Sequence, residues 1–236
     1  MVSRHVPLAV RRELRQEANF GCAYCGTPLI QYHHIVPFSE EKHHDPERMI
    51  VLCPNCHSEA DAGTIKRERL YEMKDSPYIS DKVEHGFYFE SSKPVIKYGG
   101  LWHKITNPNQ KQASVLRIRG KDIITIYFED NILTFDIAFY NAKGDQIAGV
   151  EKGDWWADTE KLWDMEYKKK ALTLASRSHG LGLEIEYDTD EDLVNILGKF
   201  FYKNRLVELY TDRTVVNQST ILSNHATAGA GGVSVK

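Results

Sequence analysis

All four cysteines of this 236-residue chain lie in its first quarter, at positions 22, 25, 53 and 56. They form two Cys-x-x-Cys pairs with 27 residues between Cys25 and Cys53. Two such pairs are typical of a tetrahedral zinc site, and the metal then stabilises a module that is too small to rely on its own core. Disulfide bonds or free thiols are the alternative, and a disulfide framework is typical of small secreted chains.

The rest of the composition favours a reducing compartment, in which zinc is preferred over disulfides. Residues 1–16 contain charged side chains and no apolar stretch of the length found in secretory signals. The mean hydropathy is −0.45, and no 18 consecutive residues are apolar. A membrane span is therefore not expected. We predict a cytoplasmic protein.

Between the cysteine pairs the sequence predicts a strand, a loop, a second strand and a helix. Residues 29–36 and 49–52 are rich in β-branched, aromatic and other apolar residues, and the loop at 37–48 is polar. The second cysteine pair then continues into the predicted helix. A shorter helix is expected before the first pair, at residues 7–18.

This order of elements brings metal-ligating side chains together. Neighbouring residues on a strand point to opposite faces, so His33 and His34 cannot aim at the same point. His57 and Asp61 are four residues apart and share one face of a helix. His33, His57 and Asp61 can therefore form a metal site of two histidines and one carboxylate, with open positions for water and phosphate.

The segment from Cys22 to Asp61 resembles the HNH endonuclease family, which has a ββα-metal fold. The resemblance rests on Cys22-Ala-Tyr-Cys25, Tyr32-His33-His34-Ile35-Val36-Pro37 and Ile50-Val-Leu-Cys53-Pro-Asn-Cys56-His57. It leaves the C-terminal two thirds of the chain unexplained.

The resemblance implies a role for each residue of the motif. The first histidine of the pair, His33, and the histidine after the last cysteine, His57, bind a catalytic divalent metal such as Mg²⁺, with Asp61 as third ligand. His34 is the general base, which suits a neutral imidazole near pH 7. The four cysteines hold a structural Zn²⁺.

One position departs from the family. Nine residues before His57, where the family has Asn, this chain has Arg48. The Asn braces the loop and orients the base, whereas an arginine side chain can donate hydrogen bonds but cannot accept them. Arg48, taken as a catalytic-site residue, thus braces the loop by another geometry, contacts phosphate, or marks a weakened enzyme. His43 and His44 are expected to be solvated or to brace the same loop.

The expected fold class is α+β, with a zinc-stapled ββα-metal (HNH) domain before a mostly antiparallel β domain. Residues 141–144 predict a hairpin turn, and residues 190–201 have helical spacing. The predicted domains are an HNH nuclease at 1–80, a linker at 81–94, a β-rich domain at 95–217 and a flexible tail at 218–236.

The net charge of −3 and the pI of about 6.4 are unusual for a dedicated nucleic-acid binder. Any affinity must therefore come from a local patch or from the metal. Five basic residues are candidates for phosphate contact, and the alternative for each is that it only lies on a solvated face of a helix. These candidates are Arg11, Arg12, Arg15, Lys66 and Arg67.

The sequence predicts a metal-dependent HNH endonuclease that hydrolyses phosphodiester bonds in nucleic acid, with DNA favoured over RNA. The β domain is expected to supply target choice, docking of a protein partner or formation of a homo-oligomer. A role in prokaryotic restriction or antiviral defence is a hypothesis by analogy. The alternative is a catalytically weakened, zinc-stabilised subunit that binds nucleic acid or protein within a larger complex.

Overall fold

The computed structural model describes residues 3–92, 95–107, 109–168, 170–177, 180–218, 220–223, 225–228 and 231–235. The helices in these ranges are α1 (Leu8–Glu17), α2 (Pro54–Asp61) and α3 (Arg67–Asp75), with 3-10 turns at Pro46–Arg48 and Thr159–Lys161. The strands of the N-terminal unit begin with β1 (Gln31–His34), β2 (Met49–Leu52) and β3 (Lys82–Gly86). The strands that follow are β4 (Phe89–Glu90), β5 (Val95–Tyr98), β6 (Leu101–Lys104), β7 (Gln112–Ile118), β8 (Lys121–Glu129), β9 (Ile132–Tyr140), β10 (Gln146–Glu151), β11 (Asp154–Asp158), β12 (Leu162–Lys168), β13 (Ala171–Ser176), β14 (Gly182–Asp188), β15 (Leu193–Tyr202), β16 (Arg205–Leu209), β17 (Thr214–Val216), β18 (Thr220–Leu222), β19 (His225–Ala228) and β20 (Gly231–Val235).

The chain divides into two compact units. Unit 1 comprises Met1–His85 together with Asp158–Lys168, and unit 2 comprises Gly86–Ala157 together with Lys169–Lys236. Helices and a large, mostly antiparallel sheet make the fold α+β. Within the described ranges, every helix is too short or too polar to cross a lipid bilayer.

Strand β2 is the centre of unit 1 because all four of its residues are buried. It pairs with β1 in antiparallel register, with His33 opposite Ile50. Side chains alternate across a strand, so the two faces of β2 meet different partners. Met49 and Val51 pack with Leu14 of α1.

The other face of β2 packs against the cysteines and α3. Ile50 and Leu52 lie in one apolar cluster with Leu70 and Met73 of α3. Cys22, Cys53 and Cys56 belong to the same cluster. The strand therefore has an apolar layer on each side, and it holds the cysteine pairs and both neighbouring helices in place.

A buried ion pair ties α1 to residues 158–168 within unit 1. Arg15 is only 2 % exposed, and it donates to Asp164 from Nε at 2.9 Å and from Nη2 at 2.7 Å. Arg15 Nη1 also donates to the Tyr32 hydroxyl at 2.5 Å. Burial opposes the charged form of Arg15, but the hydrogen bonds and charge interactions with Asp164 and Tyr32 together outweigh it and raise the pKa of the guanidinium. A segment from the middle of the chain thus completes the N-terminal unit.

Unit 2 contains one extensive sheet in which consecutive strands pair mostly as antiparallel neighbours, from β7 to β11 and from β13 to β18. Among the described residues, parallel long-range pairings join β5 with β15, β6 with β19 and β7 with β20. The predicted hairpin between β9 and β10 is confirmed: the Gly144 N–H donates to the Asn141 carbonyl at 3.1 Å, and Gly144 has a φ of +89°.

Two local predictions are wrong. The segment 190–201, expected to be helical, forms most of β15, because pairing with β14, β16 and β5 outweighs its helical spacing. The expected flexible tail at 218–236 contains β18, β19 and β20, which hydrogen-bond to the sheet. Positions 219, 224, 229, 230 and 236 of that segment lie outside the described residues.

The predicted domain limits also differ from the two units. The predicted linker at 81–94 contains β3 and β4, although positions 93 and 94 lie outside the described residues. Residues 158–168, predicted to be part of the β domain at 95–217, group with the N-terminal unit. The assignment of 1–80 as a nuclease domain stays a prediction.

We expect Asp164→Ala to lower the stability of unit 1 by about 3 kcal/mol, because Arg15 would keep its charge in a buried place without a partner. Urea unfolding, followed by a signal that reports on unit 1, measures this loss. Glu72→Ala is the matched control, since it removes a carboxylate from an exposed ion pair with Arg69 and should change stability by less than about 1 kcal/mol. Equal effects of the two substitutions would contradict a structural role of the Arg15–Asp164 pair.

Candidate functional site

The two cysteine pairs adopt backbone conformations that turn their thiols towards each other. In the first pair, the Cys22 N–H donates to the Thr27 carbonyl at 2.9 Å, and Gly26 has a φ of +78° that glycine accepts without strain. In the second pair, Cys53 directly follows β2 and is the N-cap of α2. Cys56 then lies in the first turn of α2.

The four sulfur atoms form a cluster whose dimensions fit zinc. Their Sγ atoms all lie within 4.8 Å of one another, and Cys25 Sγ is 3.6 Å from Cys53 Sγ and 3.8 Å from Cys56 Sγ. Tetrahedral zinc with Zn–S bonds of about 2.3 Å separates neighbouring sulfurs by about 3.8 Å. All four cysteines are free of disulfides, so the donor set and its geometry suit a structural Zn²⁺.

Burial differs strongly among the four thiols. Cys22 is fully buried, and burial raises its pKa to about 11. Cys25 is exposed; burial still works against its thiolate, but hydrogen bonds from Thr27, Cys22 and Cys53 together outweigh it and lower the pKa to about 7. The Thr27 hydroxyl lies 3.3 Å from Cys25 Sγ, where it can orient that ligand from outside the metal shell.

A second cluster of metal-ligating groups consists of His33 on β1 with His57 and Asp61 on α2. The Asp61 carboxylate lies between the two rings, with Oδ1 3.4 Å from His33 Nδ1 and Oδ2 3.1 Å from His57 Nδ1. The ring centroids of His33 and His57 are 4.8 Å apart and nearly perpendicular. The three ligand atoms lie within 4.8 Å of one another; their role as ligands of one metal stays a prediction.

The cluster fits a divalent cation without selecting one. Neighbouring ligands of an octahedral Mg²⁺ lie about 3 Å apart, and those of a tetrahedral zinc are only slightly further apart. Burial, followed by the nearby His57, lowers the pKa of His33, which keeps its imidazole neutral and able to bind metal. The side chain of Asp61 is 61 % exposed, so the cluster opens to solvent on the carboxylate side.

His34 makes a different contact from those of the three candidate ligands. Its Nε2 lies 3.1 Å from the carbonyl oxygen of His43. A carbonyl oxygen only accepts hydrogen bonds, so Nε2 carries the proton and Nδ1 has the free lone pair. Burial lowers the pKa of His34, so the neutral ring, with Nδ1 as proton acceptor, is the dominant form near pH 7.

The side chain of Arg48 lies in the loop that follows β1, where carboxylates surround it. Its Nη1 and Nη2 donate to the two oxygens of Glu41 at 2.6 and 3.1 Å, and its Nε donates to Asp45 Oδ2 at 3.0 Å. Of the three alternatives for Arg48, this geometry favours bracing of the loop.

A cavity of about 430 Å³ is lined by the candidate metal ligands and by His34. His33, His34, His57 and Asp61 line one part of it, and Lys66 and Arg67 line another. Lys66 is the N-cap of α3, and no ion pair of Lys66 occurs among the described residues. Arg67 contacts Glu40 at 3.2 Å, with both side chains about half exposed. The cavity therefore combines a candidate metal centre, a neutral histidine and positive charge.

The part of the chain that contains both clusters resembles a known protein family. Residues 22–62 match the HNH endonuclease family. The match covers less than a fifth of the chain and ends one residue after Asp61. Neither the curated proteins nor the solved structures give a match. The segment 22–62 is called the HNH segment below.

The HNH segment contains both clusters together with His34 and Arg48. Lys66 and Arg67 follow it directly and share its cavity. The three arginines of α1 precede it, and the structure corrects the prediction for one of them. Arg15 is buried in its ion pair with Asp164, so it cannot contact phosphate.

Arg11 and Arg12 differ from Arg15 in exposure. The side chain of Arg12 is 35 % exposed, donates to Asp164 at 3.0 Å and lies over the ring of Trp163. Arg11 is half-buried, and its Nε has no hydrogen-bond partner among the described residues. A phosphate contact by either residue stays a prediction.

Sequence reasoning missed the residues that hold His34 and Arg48. Glu41 and Asp45 were not singled out, and the carbonyl of His43 was not expected to contact His34. The available signal was the charge pattern, because three carboxylates, Glu41, Asp45 and Glu47, occur in the seven residues before Arg48. The expectation that His43 braces the loop agrees with its contacts.

We expect the cysteine cluster to bind one metal ion with thiolate ligands. Protein loaded with Co²⁺ should show the intense sulfur-to-cobalt absorption of such a site, and Cys56→Ser should weaken it because one thiolate is lost. His57→Ala is the matched control, since it alters only the histidine cluster and should preserve the band. An unchanged band in Cys56→Ser would contradict a four-cysteine site.

Proposed function

We propose that this chain is a metal-dependent endonuclease that hydrolyses phosphodiester bonds in nucleic acid, with DNA as the preferred substrate. One observation carries the proposal. Within a segment that matches the HNH family, three metal-ligating groups and a neutral histidine with a free Nδ1 line the same open cavity.

Each residue has a defined role in the proposed reaction. His33, His57 and Asp61 would hold a divalent cation, which supplies charge neutralisation at the scissile phosphate and at the leaving 3′-oxygen. His34 Nδ1 accepts a proton from the attacking water as the new phosphorus–oxygen bond forms. The bond from phosphorus to the 3′-oxygen breaks, and this oxygen takes a proton from solvent.

The chain itself supplies positive charge for substrate phosphates through Lys66 and Arg67. These two residues line the same cavity as the metal ligands. A phosphate beside the scissile bond would meet the ammonium group of Lys66, which is not occupied by an ion pair among the described residues. We assign Lys66 to substrate binding, and Arg67 to the same function after displacement of Glu40.

Unit 2 contains a second large groove, of about 780 Å³, with a different charge. Its walls include Asp122, Asp136, Glu151 and Asp154, and Lys152 is its single lysine. Such a groove would repel phosphates at close range. Substrate binding is therefore assigned to the HNH cavity, and the β-rich unit is assigned to partner docking or target choice. A restriction or defence role rests on analogy with chains in which a nuclease is joined to such a unit.

His34→Ala should reduce cleavage of supercoiled plasmid by about 10²-fold or more, because the reaction loses its proton acceptor. The assay compares Mg²⁺, Mn²⁺ and EDTA and follows nicked and linear products. His5→Ala is the control, since it removes an exposed histidine outside the cavity. If wild type and His34→Ala are equally inactive with both metals, the weakened binding subunit becomes the better account.

Lys66→Ala should weaken substrate binding and leave the chemical step nearly intact. We expect KM to rise several-fold, and the slope of log affinity against log salt to fall by about one, since one phosphate contact is lost. Steady-state cleavage at several salt concentrations measures both. Lys143→Ala, in the hairpin of unit 2, is the control. A loss confined to kcat would show that Lys66 acts in the chemical step instead.

A further inference from the structure

The loop between β1 and β2 is held at its end and near its middle. At its end, the Arg48 carbonyl accepts a hydrogen bond from the Ile35 N–H at 2.9 Å, which continues the pairing of the two strands. Near its middle, the His43 side chain is buried and its Nε2 lies 3.0 Å from the carbonyl of Val36. Both contacts join the loop to the residues directly after His34.

The orientation of His43 follows from its two ring contacts. Its Nδ1 accepts from the Asp45 N–H at 3.2 Å, so Nε2 must carry the proton and donate to Val36. With both ring nitrogens in use, the imidazole fixes the course of the chain at position 43. The carbonyl of the same residue is the group that accepts from His34 Nε2.

The ion pairs of Arg48 hold the neighbouring part of this loop. Its guanidinium joins Glu41, on one side of His43, to Asp45, on the other. The pairing with Glu41 is bidentate, and such planar, charge-assisted contacts are stronger and more directional than single ones. The hydrogen bond from Arg48 lowers the pKa of Glu41, so this carboxylate is ionised at neutral pH.

We propose that Glu41, Arg48 and His43 are positioning residues that hold the His43 carbonyl against His34 Nε2. This contact keeps the proton on Nε2 and leaves Nδ1 as the proton acceptor. The ion pairs of Arg48 with Glu41 and Asp45 are called the brace below. In this chain the brace therefore takes the role of the Asn that HNH nucleases have at the position of Arg48. The inference rests on the proposed function, since it concerns the orientation of the proposed base.

A direct contact between Arg48 and substrate phosphate does not suit the same geometry. Three of the five donors of the guanidinium already point at carboxylates. One positive charge lies between two negative charges, so the group as a whole is negative and repels phosphate. A phosphate could reach Arg48 only by displacing Glu41.

The test is a double-mutant cycle on Glu41 and Arg48 in the full chain. The brace predicts that Glu41→Gln and Arg48→Gln each lower kcat by about tenfold or more, since a small misplacement of a catalytic group is costly, with KM almost unchanged. The double variant should lose little beyond the larger single effect, because both substitutions break one contact. Arg69→Gln, which breaks the exposed pair with Glu72, is the control and should leave kcat unchanged.

Two kinetic outcomes would overturn the inference. If Glu41→Gln keeps or raises kcat while Arg48→Gln loses it, Arg48 acts on the substrate itself. If Arg48→Asn, which restores the residue of the family, raises kcat above wild type, then Arg48 impairs the site. The brace predicts that Arg48→Asn loses activity as Arg48→Gln does.

A measurement without substrate separates this inference from the proposed function. Nitrogen NMR of ¹⁵N-histidine-labelled protein reports which ring nitrogen of His34 carries the proton, with His34→Ala for assignment. We expect the Nε2–H form in wild type and a mixture of both forms in Arg48→Gln and Glu41→Gln. An inactive protein with this pattern would refute the nuclease and keep the positioning role. An active protein whose His34 is unchanged in both variants would refute only the positioning role.

Discussion

The junction at Cys53 is the constraint on which the candidate site depends. Cys53 is buried, follows β2 directly and begins α2, and its carbonyl accepts the His57 N–H at 2.8 Å. A metal that binds Cys53 and Cys56 would fix both the start of α2 and its rotation about its own axis. His57 then follows in the next position, and Asp61 lies one turn later on the same face.

The position of His33, on the other side of the candidate site, is fixed by the pairing of β1 with β2. His33 lies opposite Ile50, two residues before Leu52 and therefore close to the cysteine junction. Because β2 is buried on both faces, a shift of register by one residue would exchange its two apolar layers. The histidine of β1 and the carboxylate of α2 are thus brought together by a rigid frame, although Asp61 itself is largely exposed.

The parts of this structure that could be predicted from sequence are local ones. The cysteine spacing, the adjacent histidines and the i, i+4 pair predicted the cluster of His33, His57 and Asp61, since strand and helix periodicity alone place these side chains. The Arg15–Asp164 pair joins residues 149 positions apart, and no local pattern indicates it. The strand β15 and its parallel partner β5 were missed for the same reason, because a long-range partner decides the conformation of 193–202.

The proposed function requires a chain of net charge −3 to bind a polyanion, and the charge distribution bears on how it would do so. Much of the positive charge near the HNH segment is already neutralised: Asp164 binds Arg12 and Arg15, while Glu41 and Asp45 bind Arg48. Lys66, and Arg67 beside the exposed Glu40, remain at the cavity. With so few cations for phosphate, counterion release can supply only a small part of the binding free energy. In the proposed nuclease, affinity for the scissile phosphate would then come mainly from a divalent ion between His33, His57 and Asp61, and binding and catalysis would both depend on that metal.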